Sequence, residues 1–198
     1  MAASPLLLAS GSAVRATLLR NAGLHFRARD SRVDEDAVKK RFAGSDTDTL
    51  ALKLAEEKAQ VVSQAEPAAL VIGADQILSC CGERYDKPRD MDEARANLKK
   101  LRARDHILHS GVALALNGAI VWRHSDRAHL AMRDFSDDFL DLYLATVGDK
   151  VRSSVGCYQL EGPGIQLFDR IDGDYFTILG LPLLPLLAEL RRRKAVTA

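Results

Sequence analysis

The stretch Val71-Ile72-Gly73-Ala74-Asp75-Gln76-Ile77-Leu78 lies inside an apolar run from Leu70 to Cys80. Such a run suits a central β-strand buried in an α/β protein. Asp75 interrupts it. A buried, unpaired carboxylate costs on the order of several kcal/mol, so it needs a cation, a metal or a raised pKa. Each of these belongs naturally to an active site. The alternative is an aspartate at the strand's exposed end, satisfied by turn N–H groups.

Outward from this strand, helix-like and strand-like segments alternate, which points to an α/β architecture. Towards the N-terminus, Leu6 to Ala9 reads as a short buried strand and Ser10-Gly11-Ser12 as a turn. Ala13 to Ala22 carries a helical pattern that stops at Gly23. Leu24 to Arg29 reads as a second strand, and Asp46 and Asp48 offer caps for a long helix to about Gln64. Towards the C-terminus, Met91 to Leu101 reads as a helix. His106 to Leu116 and Ala119 to Met132 follow, joined by the hairpin signal Asn117-Gly118. Ser136 caps a helix ended by Gly148. Two strands are expected around Glu161-Gly162-Pro163-Gly164, and a last helix from about Pro182. No internal repeat or long linker divides the chain, so residues 1–198 are read as one domain.

The chain of 198 residues, 47% hydrophobic and 28% charged, is long enough for a substantial core. A net charge of +1 provides no global field for nucleic acid or an anionic membrane. The run Arg191-Arg192-Arg193-Lys194 is explained by the C-terminus of a helix, where cations complement the macrodipole. Cys80 and Cys81 are adjacent and Cys157 is distant, a pattern of reduced thiols rather than a disulfide or zinc framework. The opening residues lack a basic n-region, and no stretch approaches the ~20 apolar residues of a membrane helix. A cytoplasmic protein is expected.

Three further places ask for more than local structure. Ser12 and Arg15 stand where a strand turns into a helix, whose free N–H groups make a phosphate site. Arg15 in a first turn opposes the macrodipole unless an anion is held there; an ordinary serine-capped helix with a surface arginine is the alternative. Lys58 follows Leu50 and Leu54 in steps of four, so it shares their buried face and must meet an anion or snorkel. Asp34-Glu35-Asp36 is either a Mg²⁺ ligand set or a solvated acidic loop. Lys87, held extended before Pro88, is suited to face a phosphate. No GxxxxGK, GxGxxG, HExxH or GxSxG motif is present.

These places follow one another in an order that resembles the Maf family of nucleoside triphosphate pyrophosphatases. LLLASGSAVRATLLRNAG (residues 6–23) is similar to the family's opening LASxSPRRxxLL signature. VDED, LAEEKA, VIGADQ, DKP and HSGVAL resemble its successive short motifs, and residues 158–183 its C-terminal block. Each motif is weak alone; together, in register over almost the whole chain, they are specific.

The resemblance implies a Maf/ITPase-like fold, an elongated mixed β-sheet flanked by helices, with two lobes around a central cleft, in a homodimer. It implies cleavage between the α- and β-phosphates with a divalent metal, Mg²⁺ or Mn²⁺, as cofactor. Ser12, Arg15, Lys58 and Lys87 would bind and neutralise the triphosphate. Glu35 and Asp75 would serve metal and water, with Asp75 the general base. Gln76 and Glu161 resemble the branch that acts on 7-methyl-GTP, whereas the dTTP/UTP branch has other residues there. A carboxylate at 161 suits a cationic methylated purine. Val14, at a third base-pocket position, matches neither branch, and Ala13 and Ala16 replace the usual proline and second basic residue. The expected role is clearance of non-standard or methylated nucleotides. The alternatives are a dTTP/UTP-type enzyme and a nucleotide-binding regulator of cell division without turnover.

Overall fold

The computed structural model describes residues 4–196. In chain order the elements are β1 (Leu6–Leu8), α1 (Ala13–Asn21), β2 (Arg27–Ala28), α2 (Glu35–Arg41), α3 (Thr47–Ala65), β3 (Leu70–Cys80) and β4 (Glu83–Tyr85). They continue with α4 (Met91–Leu101), β5 (Asp105–Leu116), β6 (Ala119–Met132), α5 (Asp137–Val147), β7 (Phe168–Asp172), α6 (Tyr175–Ile178) and α7 (Leu183–Arg192). Two 3-10 turns, Gly148–Ser153 and Pro163–Leu167, precede β7. The strands form one mixed sheet in the order β2-β1-β3-β5-β6-β7, with β4 also paired to β3. β1 runs parallel to β2 and β3, while β4 and β7 are antiparallel to their partners.

The residues divide into two compact units. Of the described residues, one unit contains 4–76, 110–126 and 175–196; the other contains Ile77–His109 and Arg127–Asp174. In the first unit, strand alternation sorts side chains between two faces. Leu6 and Leu8 of β1, Ile72 and Ala74 of β3, and Val112 and Leu114 of β5 join one cluster with Leu18 and Leu19 of α1 and Leu186 and Leu190 of α7. Leu7, Val71, Ala113 and Ala115 face the other way, onto Ala55, Ala59 and Val62 of α3. Both faces are therefore dry, as expected of strands that read as continuous apolar runs.

Small residues dominate the α3 face. A Cβ on Gly73 would lie 2.2 Å from the Ala55 carbonyl oxygen, and one on Gly111 2.7 Å from that of Ala51. The helix backbone thus rests directly on β3 and β5, with no room for a side chain at either crossing.

In the second unit, His106 is buried and its Nε2 lies 2.8 Å from the hydroxyl of Tyr158. Burial holds the imidazole pKa down at about 4. The Tyr143 hydroxyl donates to the Cys157 carbonyl at 3.1 Å.

Three sequence expectations need correction. The acidic loop at 34–36 opens a helix: the Asp34 side chain caps α2 by accepting from the Ala37 N–H at 3.0 Å. Acidic residues in its first turn and Lys39-Lys40-Arg41 in its last match the macrodipole. The strand expected at Leu24–Arg29 shrinks to Arg27–Ala28. Around Glu161-Gly162-Pro163-Gly164 only the following strand forms. Before it, the Ser154 hydroxyl donates to the Tyr158 carbonyl and accepts from its N–H, a local loop that replaces ladder bonds. Arg192 and Arg193 both pair with the buried carboxylate of Glu189, in keeping with a structural reading of the basic run.

Gly111→Ala tests the close helix–sheet contact. The new methyl meets backbone rather than a movable side chain, so the variant should lose about 1–3 kcal/mol in urea unfolding. Unchanged stability would show that α3 has slack at this crossing.

Candidate functional site

Period two along β3 decides where Asp75 points. Val71 and Gly73 face α3, so Asp75 does too. On α3, Lys58 lies one turn beyond Leu54 and reaches down to the strand. Its Nζ donates to Asp75 Oδ1 at 2.5 Å and pairs with Glu35 Oε1 at 2.7 Å. Lys58 and Asp75 are only 8% and 7% exposed. Glu35 arrives from the first turn of α2, which packs on α3. Two carboxylates from separate elements therefore share one ammonium.

Burial raises the Asp75 pKa above the usual carboxylate range; the ammonium of Lys58 and the guanidinium of Arg15 oppose this, and Glu35 adds to it. Arg15 lies in the first turn of α1. Burial lowers its pKa while Asp75 and Glu35 raise it, and an arginine remains charged at neutral pH. Its Nε donates to the Gly180 carbonyl at 2.8 Å and its Nη1 to Ser10 Oγ at 3.3 Å. The same Ser10 hydroxyl accepts from the Ser12 N–H at 3.1 Å. Ser12 caps α1, accepting from the Arg15 N–H at 3.4 Å. The turn thus collects hydroxyls, helix N–H groups and a fixed cation, the ingredients of an anion site.

Gln76 points to the opposite face of β3 from Asp75. Its Nε2 donates to Ser110 Oγ and to the carbonyls of Thr177 and Ile178, at 3.0, 3.0 and 3.1 Å. Ser110 in turn donates to the Thr177 carbonyl, and the Thr177 hydroxyl to Asp126. The amide nitrogen is fully committed to protein acceptors, while Oε1 lies close to Gly180.

Of the residues singled out from sequence, the structure gathers Ser12, Arg15, Glu35, Lys58, Asp75 and Gln76 within the first unit. Val14 is half-buried in the first turn of α1. Lys87 and Glu161 belong to the second unit, where both are exposed, Lys87 outside any helix or strand and Glu161 in a turn. Sequence reasoning missed Ser10, Ser110, Thr177 and the Gly180 carbonyl. Ser110 was visible within the HSGVAL motif, but nothing local links it to Gln76 or Thr177.

The raised pKa of Asp75 has a consequence for stability. Its folded value lies above its unfolded value, so stability from the protonated form is complete at low pH and is lost as pH rises through the folded value. Asparagine is the neutral isostere. Asp75→Asn should therefore keep or raise the urea midpoint at pH 7; a loss above about 1 kcal/mol would show that the ionised carboxylate is a structural requirement.

Comparison with known proteins gives relatives over nearly the whole chain. The Maf-like protein family model matches residues 5–193. A 7-methyl-GTP pyrophosphatase of Brucella abortus biovar 1 (strain 9-941) is 51% identical over 193 residues, covering 96% of this chain and 97% of the relative. Another, from Rhizobium meliloti (strain 1021), is 51% identical over 195 residues and covers 98% of both chains. A nucleoside triphosphate pyrophosphatase of Granulibacter bethesdensis (strain ATCC BAA-1260 / CGDNIH1) is 48% identical over 194 residues, covering 97% and 98%. With a family match over nearly its whole length, the chain belongs to the Maf-like protein family.

Proposed function

We propose that this protein is a nucleoside triphosphate pyrophosphatase, releasing a monophosphate and pyrophosphate, with 7-methyl-GTP or a related methylated nucleotide as substrate. The observation that carries the reading is the buried Asp75 carboxylate, paired with Lys58 and felt electrostatically by Arg15 in the first turn of α1. The names of relatives about half identical over their full length support the reaction and lean towards the methylated base.

In this reading the N-terminus of α1, Ser12 and Arg15 take the polyphosphate, and Lys58 and Lys87 add cations to it. Asp75 orients a water and takes its proton. A carboxylate with a raised pKa is the better base for that step. Val14, Gln76 and Glu161 are assigned to the nucleoside, with the Glu161 carboxylate suited to a cationic purine.

A divalent ion fits the donors present. Glu35 and Asp75 bring hard carboxylate oxygens to one point, marked by the Lys58 ammonium. Among the described residues no group of three or more His, Cys, Asp or Glu gathers to hold a metal. That suits Mg²⁺ or Mn²⁺ better than zinc, since Mg²⁺ takes one or two carboxylates and completes its shell with water and substrate phosphates. When bound, such an ion supplies positive charge against the developing negative charge of the phosphates.

The same reading makes the chain one working domain, because three of its four crossings between the units fall inside β3, β5 and β6, and the fourth lies in the short connection from β7 to α6. No described helix is long and apolar enough to cross a membrane. We take the enzyme to be a cytoplasmic homodimer acting on free nucleotides, not on nucleic acid.

Pyrophosphate release with Mg²⁺ or Mn²⁺, over the standard triphosphates, 7-methyl-GTP, 5-methyl-UTP and pseudo-UTP, tests the proposal. Turnover should stop with chelator, fall about 10²–10⁴-fold in Asp75→Asn, and rank 7-methyl-GTP first, a preference that Glu161→Gln weakens. A pyrimidine triphosphate in first place would favour the dTTP/UTP branch. Silence from folded protein with every metal would favour nucleotide binding without turnover.

A further inference from the structure

The thiols of Cys80 and Cys81 lie in the second unit and take no part in the chemistry above. Cys81 and Gly82 form the two-residue turn between β3 and β4, with Cys80 and Glu83 paired across its base. Both turn residues have left-handed backbone, Cys81 with φ 51° and Gly82 with φ 82°. This is type I′ geometry, whose first position favours asparagine, aspartate or glycine. A cysteine there carries a conformational cost that the hairpin itself does not require.

The turn sets the two sulfurs 3.7 Å apart. Cys80 is buried, and its Sγ lies 3.5 Å from the Asp105 carbonyl oxygen, to which the thiol donates. Cys81 is exposed, and Nη1 of Arg104 donates to its sulfur at 3.5 Å. An accessible sulfur facing a cation is thus backed by a second, sheltered sulfur. Cys157, the remaining thiol, is buried.

We propose that Cys80 and Cys81 form a chelating dithiol site for a trivalent arsenical or a similar thiophilic metalloid, which takes two sulfurs and keeps its third substituent. Geometry favours a bridging atom over a direct bond. Neighbouring Cα atoms are about 3.8 Å apart, closer than the ~4.4–6.8 Å of ordinary disulfides, so an S–S bond between them is strained. Two thiolates each about 2.3 Å from a tetrahedral centre lie about 3.8 Å apart, and slightly closer around a pyramidal one. The sulfurs here already stand 3.7 Å apart.

Ligand count selects the class of guest. Among the described residues no third Cys, His, Asp or Glu completes a metal-binding group. Zinc requires three or four protein ligands. An arsenical carrying one organic group requires two.

Capture proceeds by two ligand exchanges without redox change. The hydrated arsenical, R–As(OH)₂, meets Cys81 first. An S–As bond forms, one As–OH bond breaks, and the hydroxide leaves with the thiol proton as water. Cys80 displaces the second hydroxide in the same way. Two thiols and R–As(OH)₂ become the cyclic dithioarsenite and two waters, with arsenic trivalent throughout.

Phenylarsine oxide, added in equimolar amount to the full chain, is the test, read by intact mass, thiol titration and peptide mapping. The expected result is one arsenical per chain, two thiols lost, both mapping to Cys80 and Cys81. The adduct should withstand excess monothiol and be released by a small dithiol. Cys81→Ser, at an exposed turn position that should leave the fold intact, should hold the arsenical at least about tenfold more weakly, because the chelate is broken. Retention by Cys81→Ser, an adduct on Cys157, loss of one thiol only, or no adduct would each overturn the proposal. None of these readouts depends on turnover, so the pyrophosphatase reading stands or falls separately.

Discussion

Everything in the first unit depends on how closely α3 lies on the sheet. Helices usually pack through a layer of side chains, at interaxial distances of about 8–10 Å between helices and about 10 Å between sheet layers. Here Gly73 and Gly111, on adjacent strands, leave no Cβ under the backbone of α3. Ala55 and Ala59 answer them from the helix. The contact fixes the height of the helix. Lys58, in the turn between Ala55 and Ala59, then has the reach to meet Asp75, two residues beyond Gly73.

That geometry explains why a carboxylate is tolerated within a central strand. Asp75 lies one pleat beyond the dry contact, with a cation directly above it and Arg15 nearby. Burial still wins, so the carboxyl holds its proton more readily than in water. Stability alone would favour a neutral or apolar residue at this position. Retaining a group that burial disfavours is the mark of a site kept for chemistry, and a base with raised proton affinity is useful for activating water.

Much of this was legible in the chain because it rests on short-range periodicity. Apolar runs identified β1 and β3, the Asn117-Gly118 hairpin signal placed β5 and β6, and capping residues identified α1, α3 and α5 within a residue or two. Steps of four placed Lys58 on the buried stripe, and Asp75 stood out as the polar break in an apolar strand. What sequence did not reveal depends on distant partners. Glu35 meets Lys58 only because α2 folds onto α3, and α2 was missed since its acidic cap resembled a solvated loop. The brace of Gln76, Ser110 and Thr177 joins residues from β3, β5 and α6, and it follows from no local rule. The segment before Glu161 closes through serine hydroxyl bonds rather than ladder bonds, which apolar pattern does not report.

The central claim is that Lys58 and Asp75 act as one unit, brought together by the close approach of α3. A double-mutant cycle on pyrophosphate release, with Lys58→Met, Asp75→Asn and the pair, tests it most directly. If the two residues form one working unit, the double variant should lose scarcely more activity than the worse single variant. Losses that multiply independently would contradict the account and make the contact between Lys58 and Asp75 a structural pairing without a shared catalytic role.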